Sequence, residues 1–220
     1  MGTALVTGAN RGIGLELVRQ LAARGERVIA VCRRGSDELA AVEGVQVIDG
    51  VDVTSDDAVA GLARLVDVPI DLLLLNAGVL QVVRLDALDF DSIRWQMEVN
   101  AFGPLRVVAA LRDRLGKGSK VAIVTSRMGS IADNTSGSHY GYRMSKAAVN
   151  MAGMSLARDL APSGVSVCLL HPGYVRTRMT GEHGLIDAPE AATGLLARID
   201  ELRLSTTGSF WHQDGTALPW

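Results

Sequence analysis

The stretch Thr3-Ala4-Leu5-Val6-Thr7-Gly8-Ala9-Asn10-Arg11-Gly12-Ile13-Gly14 decides the fold. A short apolar run passes into a turn with three glycines, then into residues of helical period that continue to Ala23. Gly8 permits the tight turn. Gly12 and Gly14 keep side chains away, so that backbone amides and the helix N-terminus can approach a pyrophosphate. A glycine loop between a first strand and an amphipathic helix is the arrangement of a dinucleotide site, with Asn10, Arg11 and Ile13 in the same loop. The spacing here is Gly-x3-Gly-x-Gly rather than the commoner Gly-x-Gly-x2-Gly.

Downstream, apolar runs with strand character recur at Ala4–Thr7, Arg27–Cys32, Val45–Ile48, Ile70–Leu75, Lys120–Ser126 and Val165–Leu170, with a last one near Gly208–Trp211. Segments of helical period lie between them: Gly12–Ala23, Asp56–Leu65, Leu88–Leu115 and Tyr142–Leu160. The strands are continuous apolar runs, as expected when both faces of a sheet are covered. Strand–helix alternation of this kind predicts an α/β Rossmann fold, a doubly wound parallel sheet with its site at the carboxyl ends of the strands. No linker or repeat divides residues 1–220, which read as one domain; the segment 178–189 reads as a short substrate lid.

The second strand bears on the choice of dinucleotide. A carboxylate at its end would accept from the ribose 2′-hydroxyl of NAD, but Val28-Ile29-Ala30-Val31 runs into Cys32-Arg33-Arg34. With Arg11 close by, these guanidinium groups suit a 2′-phosphate, and NADP(H) is the expected cofactor.

Composition excludes other classes. A formal net charge of −2 over 220 residues offers nothing to nucleic acid or an acidic membrane surface. The longest apolar runs are too short to cross a bilayer, and no signal peptide precedes the first strand. Cys32 and Cys168 sit in apolar runs and read as reduced core residues, which suits a cytoplasmic protein. His139, His171 and His183 lack carboxylate or thiolate partners at ligand spacing, so no metal is expected; His171, before Pro172, reads as a structural residue at a strand end.

Tyr142-Arg143-Met144-Ser145-Lys146 places a phenol and an ammonium four residues apart, on one face of a helix. A fixed cation beside a tyrosine favours the phenolate and brings a poor acid toward the working range. Tyr140 lacks this partner, since the residue four further on is Met144.

Taken in order, Thr7-Gly8-x3-Gly12-x-Gly14, Asp52-Val53, Asn76-Ala77-Gly78, Asn100, Ser126, Tyr142-x3-Lys146 and Pro172-Gly173 with Thr177 resemble the short-chain dehydrogenase/reductase family over nearly the whole chain. The resemblance implies that Asp52 and Val53 contact the adenine and that Asn76, Ala77 and Gly78 support the cofactor. It also implies that Pro172, Gly173, Val175 and Thr177 line the nicotinamide. Asn100, Ser126, Tyr142 and Lys146 would form a catalytic tetrad: Ser126 a donor to the substrate oxygen, Tyr142 the proton donor. Lys146 would lower the Tyr142 pKa and bind the ribose, and Asn100 would hold a relay water. Ser126 and Tyr142 lie 16 residues apart, longer than is usual in the family, which leaves the loop Arg127–Gly141 as its departure.

Thr125-Ser126-Arg127-Met128-Gly129-Ser130, Tyr142 through Met151, Leu170 through Val175 and the ending Gly215 through Trp220 are similar to the C-factor/sniffer-like branch. That branch implies an NADPH-dependent carbonyl reductase, or an alcohol dehydrogenase in reverse, acting on a small aldehyde, ketone, quinone or alcohol. The alternative it raises is a dinucleotide-binding signalling protein of the C-factor type with little turnover. Leu80, Met128, His139 and Tyr174 are expected around the substrate, in a largely apolar pocket under a short lid that favours broad acceptance. The helices Leu88–Leu115 and Ser138–Leu160 correspond to those that pair across a two-fold axis in the family, so a homodimer or homotetramer is expected.

Overall fold

All seven apolar runs become strands: β1 (Thr3–Thr7), β2 (Arg27–Val31), β3 (Val45–Ile48), β4 (Leu72–Leu75), β5 (Lys120–Val124), β6 (Ser166–His171) and β7 (Ser209–His212). A computed structural model describes residues 2–220. The strands form one sheet in the order β3-β2-β1-β4-β5-β6-β7, every neighbouring pair parallel. The order reverses direction between β1 and β4, the switch point at which open α/β sheets bind ligands.

Alternation along each strand divides the core in two. Leu5, Ile29, Leu73, Val121 and Val167 stand side by side in register and pack with Leu62, Val107 and Val149 from the helices α3 (Asp56–Leu65), α5 (Gly103–Leu111) and α6 (Tyr140–Leu160). On the other face Val6, Ala30, Leu74, Ala122 and Cys168 meet α1 (Gly12–Ala23) and α7 (Ala188–Glu201) through Leu17, Val18, Leu195 and Leu196. Each large aliphatic side chain fully buried there contributes about 1.5–3 kcal/mol of transfer free energy. Cys32 and Cys168 are both buried and free. The edge strand β3 breaks the continuous apolar pattern, with Gln46 and Val47 exposed.

Several boundaries differ from the sequence reading: β1 starts one residue earlier, β2 stops one earlier, β6 and β7 are each shifted by one residue, and α6 starts at Tyr140. Strand β4 starts at Leu72, and β5 stops at Val124, with Ser126 capping a 3₁₀ turn, Arg127–Gly129. The expected helix Leu88–Leu115 is three pieces: α4 (Phe90–Met97), a π-helical turn (Glu98–Phe102) and α5, followed by a 3₁₀ turn. Pro104 has no amide with which to close on the Asn100 carbonyl four residues earlier, so the ladder widens there. A short helix, α2 (Asp37–Ala40), capped by Ser36, was not foreseen. Among the described residues no helix is long and apolar enough to cross a membrane.

Beyond β7 the chain turns back. Trp211 bridges Ala217, Phe210 stacks on Trp220 at 5.2 Å, and the Trp220 carbonyl accepts from Ile131 N, Ala132 N and Ser130 Oγ. The segment read as a lid folds against β6's exit: Arg176 N donates to the Ile186 carbonyl (2.9 Å), Leu185 N to that of Tyr174 (2.7 Å), and Arg176 pairs with Asp187.

Candidate functional site

A groove of about 1220 Å³ runs along the carboxyl ends of β1, β2 and β4, from Arg33 and Arg34 past the glycine loop to Gly78 and Thr177. Its floor depends on close approach. Gly8 has φ +67°, and a Cβ there would stand 2.8 Å from the Ala77 Cα. A Cβ at Gly14 would drive into the Gly8 carbonyl and the Asn76 amide. Asn76 is the brace: its Nδ2 donates to the carbonyls of Thr7 and Gly8 (both 3.1 Å), while Asn76 N and Ala77 N donate to Thr7 Oγ1. Ser36 Oγ donates to the Asn10 carbonyl (2.8 Å) and fixes the loop's outer edge. Ser36 escaped the sequence reading, although Ser-Asp-Glu-Leu after a strand is a helix-capping signal. Thr177 lies against the loop, its Cγ2 3.5 Å from where a Gly12 Cβ would be.

At the adenine end the cations are exposed to solvent. Arg11, Arg33 and Arg34 are all exposed, and Arg33 Nη1 stands 3.6 Å from Asp52 Oδ2. Burial works to raise the Asp52 pKa, but hydrogen bonds from Thr54 and the charge of Arg33 outweigh it and hold the carboxyl below its ordinary range. Val53 is buried beneath the start of α5 while also lining the groove. A glycine cradle that Cβ atoms would fill, together with three exposed guanidinium groups of which, among the described residues, only Arg33 has a carboxylate nearby, fits a dinucleotide carrying an extra phosphate. Replacing Gly14 with Ala is expected to lower the melting temperature and weaken dinucleotide binding at least about tenfold, because the loop must move off its brace. Titration of the variant with NADPH, followed by fluorescence, checks it.

Where the groove ends, the four tetrad candidates come together, all buried. A side chain at Gly78 would reach within 3.4 Å of Asn100 Oδ1 and 3.7 Å of Lys146 Nζ, so the glycine keeps open the space on which they converge. Asn100 sits in the π-helical turn; its side chain exchanges hydrogen bonds with Val79 N and O (2.8 and 2.9 Å) and donates to Ser145 Oγ (2.9 Å). Ser145 in turn donates to the Tyr142 carbonyl (2.8 Å), tying Asn100 to the turn of α6 that carries the phenol. Ser145 was also missed; a serine three residues after the tyrosine that bonds back within its helix was the available signal. Ser126 Oγ accepts from Met128 N (3.1 Å).

Electrostatically the pair departs from expectation. Burial pushes Tyr142 up to about 12, with hydrogen bonding by Ser126 acting the other way. Burial likewise pulls Lys146 down to about 8. Lys146 Nζ donates to the Val124 carbonyl (2.9 Å) and lies 5.8 Å from the centre of the Tyr142 ring. In the free chain the lysine therefore does not lower the tyrosine's pKa: desolvation of both groups wins over their attraction.

The remaining positions spread around this centre. Leu80, Met128 and His139 are half-buried on the loops after β4 and β5 and at the start of α6, whereas Tyr174 is 51% exposed on the segment joined to the lid. Pro172 and Gly173 follow β6, and Val175 is buried in its bridge to Ile186. Behind them His171 packs edge-on to His212 at 5.0 Å; burial, then the charges of His212, Arg127 and Lys146, push it down to about 3, so it stays neutral.

Comparison with known proteins agrees with this geometry. The family model for short chain dehydrogenases matches residues 2–185. The 1-hydroxy-2-glutathionyl-2-methyl-3-butene dehydrogenase of Rhodococcus sp. (strain AD45) is 50% identical, with all of both chains covered. The C-signal protein of Myxococcus xanthus is 45% identical over 69% of this chain and 93% of its own. Among solved structures, the carbonyl reductase Sniffer of D. melanogaster superposes with TM-score 0.92 at 28% identity, all of both chains covered. A carbonyl reductase from Pseudomonas aeruginosa PAO1 in complex with NADP gives TM-score 0.86 at 33% identity, again over both full chains. The resemblance to the C-factor/sniffer-like branch thus holds in both sequence and fold.

Proposed function

Because the chain belongs to the short-chain dehydrogenase family, we propose that it is an NADP-dependent oxidoreductase interconverting a carbonyl compound and its alcohol, with Tyr142 as the proton donor. The observation that carries this reading is the convergence of buried Asn100 and Lys146 on the space kept open by Gly78, at the end of the dinucleotide groove, with buried Tyr142 beside Lys146. The NADP-bound Pseudomonas relative and the exposed guanidinium groups of Arg11, Arg33 and Arg34 support the choice of NADP over NAD.

NADPH, when bound, supplies the hydride that the carbonyl carbon accepts. Tyr142 then gives its proton to the substrate oxygen, and Ser126 donates a hydrogen bond to that oxygen as charge develops on it. A phenol kept protonated at neutral pH by burial is suited to this direction. Lys146 holds the ribose and, from the pocket beneath the phenol, stabilises the transient phenolate. The Asn100 carbonyl, which cannot accept from Pro104 four residues on, would hold a water that returns a proton through Lys146. Leu80, Met128, His139 and Tyr174 surround the substrate, and the 178–189 segment covers it. The name of the Rhodococcus relative makes an alcohol bearing a thioether-linked peptide one candidate substrate.

Following NADPH absorbance with a panel of aldehydes, ketones and quinones tests the reading, with NADH as control. Arg33→Ser combined with Arg34→Ser is expected to raise KM for NADPH at least about tenfold and leave that for NADH nearly unchanged, since two charge-assisted contacts are lost only with the phosphorylated cofactor. The C-signal relative favours a second reading, in which occupancy by the dinucleotide matters more than turnover. Tight NADPH binding with no turnover across the panel would move the weight to it. A cytoplasmic homodimer remains part of the proposal, testable by light scattering.

A further inference from the structure

Outside the dinucleotide groove, the substrate side carries a group of cations that the fold does not neutralise. Three segments meet there: the loop after β4, the loop after β5 and the first turn of α6. Tyr140 N donates to the Val83 carbonyl (3.2 Å), which brings Arg84 beside His139. Arg143, one residue after the candidate proton donor, reaches back over the β5 loop. Its Nε donates to the carbonyls of Gly137 (2.9 Å) and Ser138 (3.2 Å), its Nη2 to Ser136 Oγ (2.8 Å) and its Nη1 to the Met128 carbonyl (3.5 Å). Every one of these acceptors is neutral, so the guanidinium keeps its full charge while being held rigidly.

Among the described residues neither Arg84 nor Arg143 belongs to an ion pair. Of the nearby carboxylates, Asp133 pairs with Arg127 at 2.8 Å and Asp89 caps α4 through Ser92 N, while Asp86, at the tip of the Arg84–Ala87 turn, forms no ion pair among the described residues. His139 feels both arginines; burial first, then Arg143 and Arg84, hold its imidazole below its ordinary range. Aliphatic surface flanks the cluster, since Val82, Leu85 and Ile131 are all exposed. Two guanidinium charges beside one imidazole, without a counter-charge, repel one another unless an anion joins them.

We propose that Arg84, His139 and Arg143 recognise a carboxylate carried by the substrate, so that this chain takes amphipathic anions: an aliphatic or thioether body ending in a carboxylate. Arg84 supplies the free fork, His139 a further ring N–H donor, and Arg143 the fixed field. One free fork matches the two oxygens of a carboxylate better than the three of a phosphate. The proposal rests on the carbonyl-reductase reading, because it is the substrate entrance beside Tyr142 that the cluster flanks.

The test compares 9-oxononanoate with its methyl ester as substrates of the wild type and of Arg84→Met, with NADPH, at low and high salt. In parallel, calorimetry measures nonanedioate binding to the NADP-loaded protein. A charge-assisted contact predicts at least about a tenfold lower KM for the acid at similar kcat, a gap that narrows with salt. Arg84→Met is expected to bring the acid to the level of the ester, leave turnover of the ester as it was and weaken nonanedioate binding by a similar factor. Equal KM for acid and ester in the wild type, or an acid preference that survives Arg84→Met, overturns the proposal while leaving the reductase reading intact. If neither aldehyde is reduced but nonanedioate binds in an Arg84-dependent way, the reductase reading falls and the carboxylate site stands. Absence of both turnover and binding removes both.

Discussion

Replacing Tyr142 with Phe is expected to lower kcat for carbonyl reduction by about 10²–10⁴-fold while NADPH affinity stays near the wild-type value. The ring is buried, and its pocket accepts phenylalanine without a change of shape, so the variant should fold and keep the contact with Lys146. Only the proton is lost. Burial already holds the phenol protonated, up to about 12, which means that nearly every wild-type molecule at neutral pH has a donor in place. Single-turnover measurements with saturating NADPH separate the chemical step from binding. A kcat within tenfold of wild type would assign the proton to another group.

Lys146→Met should do something less intuitive: abolish turnover and at the same time stabilise the fold at pH 7. The folded-state pKa of Lys146 is about 8, below its ordinary value of 10.5, because the ammonium is desolvated. Between those values the unfolded chain holds a proton that the folded chain has released, so wild-type stability rises with pH through that window. Below pH 8 the full cost of burying the charge is present, on the order of 3 kcal/mol. Loss of the Nζ–Val124 hydrogen bond returns about 1 kcal/mol of that gain, leaving about 2 kcal/mol in favour of the variant. For a domain of this size the melting temperature should rise by about 4–8 °C at pH 7, and the advantage should vanish above pH 10.5. A variant that melts lower than wild type at pH 7 would show that the Val124 contact outweighs desolvation. In activity, reduction should decline as pH rises past about 8, where Lys146 loses its charge.

What the sequence made legible was local. The strands announced themselves as apolar runs between turns, and Gly8, Gly12 and Gly14 stood at a spacing whose backbone meaning does not depend on distant residues. Tyr142 and Lys146 were visible because helical periodicity fixes their relation. The features that escaped depend on what the fold brings together. The break at Glu98–Phe102 follows from Pro104, which was readable, but its location beneath the Gly78 opening was not. The depressed lysine and elevated tyrosine reflect burial, which no spacing records. Ser145 and Ser36 act through bonds to Asn100 and Asn10 that only the folded chain brings within reach. Arg84, His139 and Arg143 assemble from separate segments, and the return of Trp220 onto Ser130–Ala132 joins residues 90 apart.

The brace at Asn76 has a bearing on the lifetime of the molecule. Its partners, Thr7 and Gly8, lie 69 and 68 residues earlier, across the boundary where β1 and β4 pair. The glycine loop therefore has its binding shape only while that boundary is closed, and any excursion that parts β1 from β4 erases the site. A dinucleotide that binds the closed form alone withdraws molecules from the open one, in proportion to its concentration over its dissociation constant. Cellular proteases act on open molecules. Degradation of the chain in the cell would then slow as the supply of its dinucleotide rises.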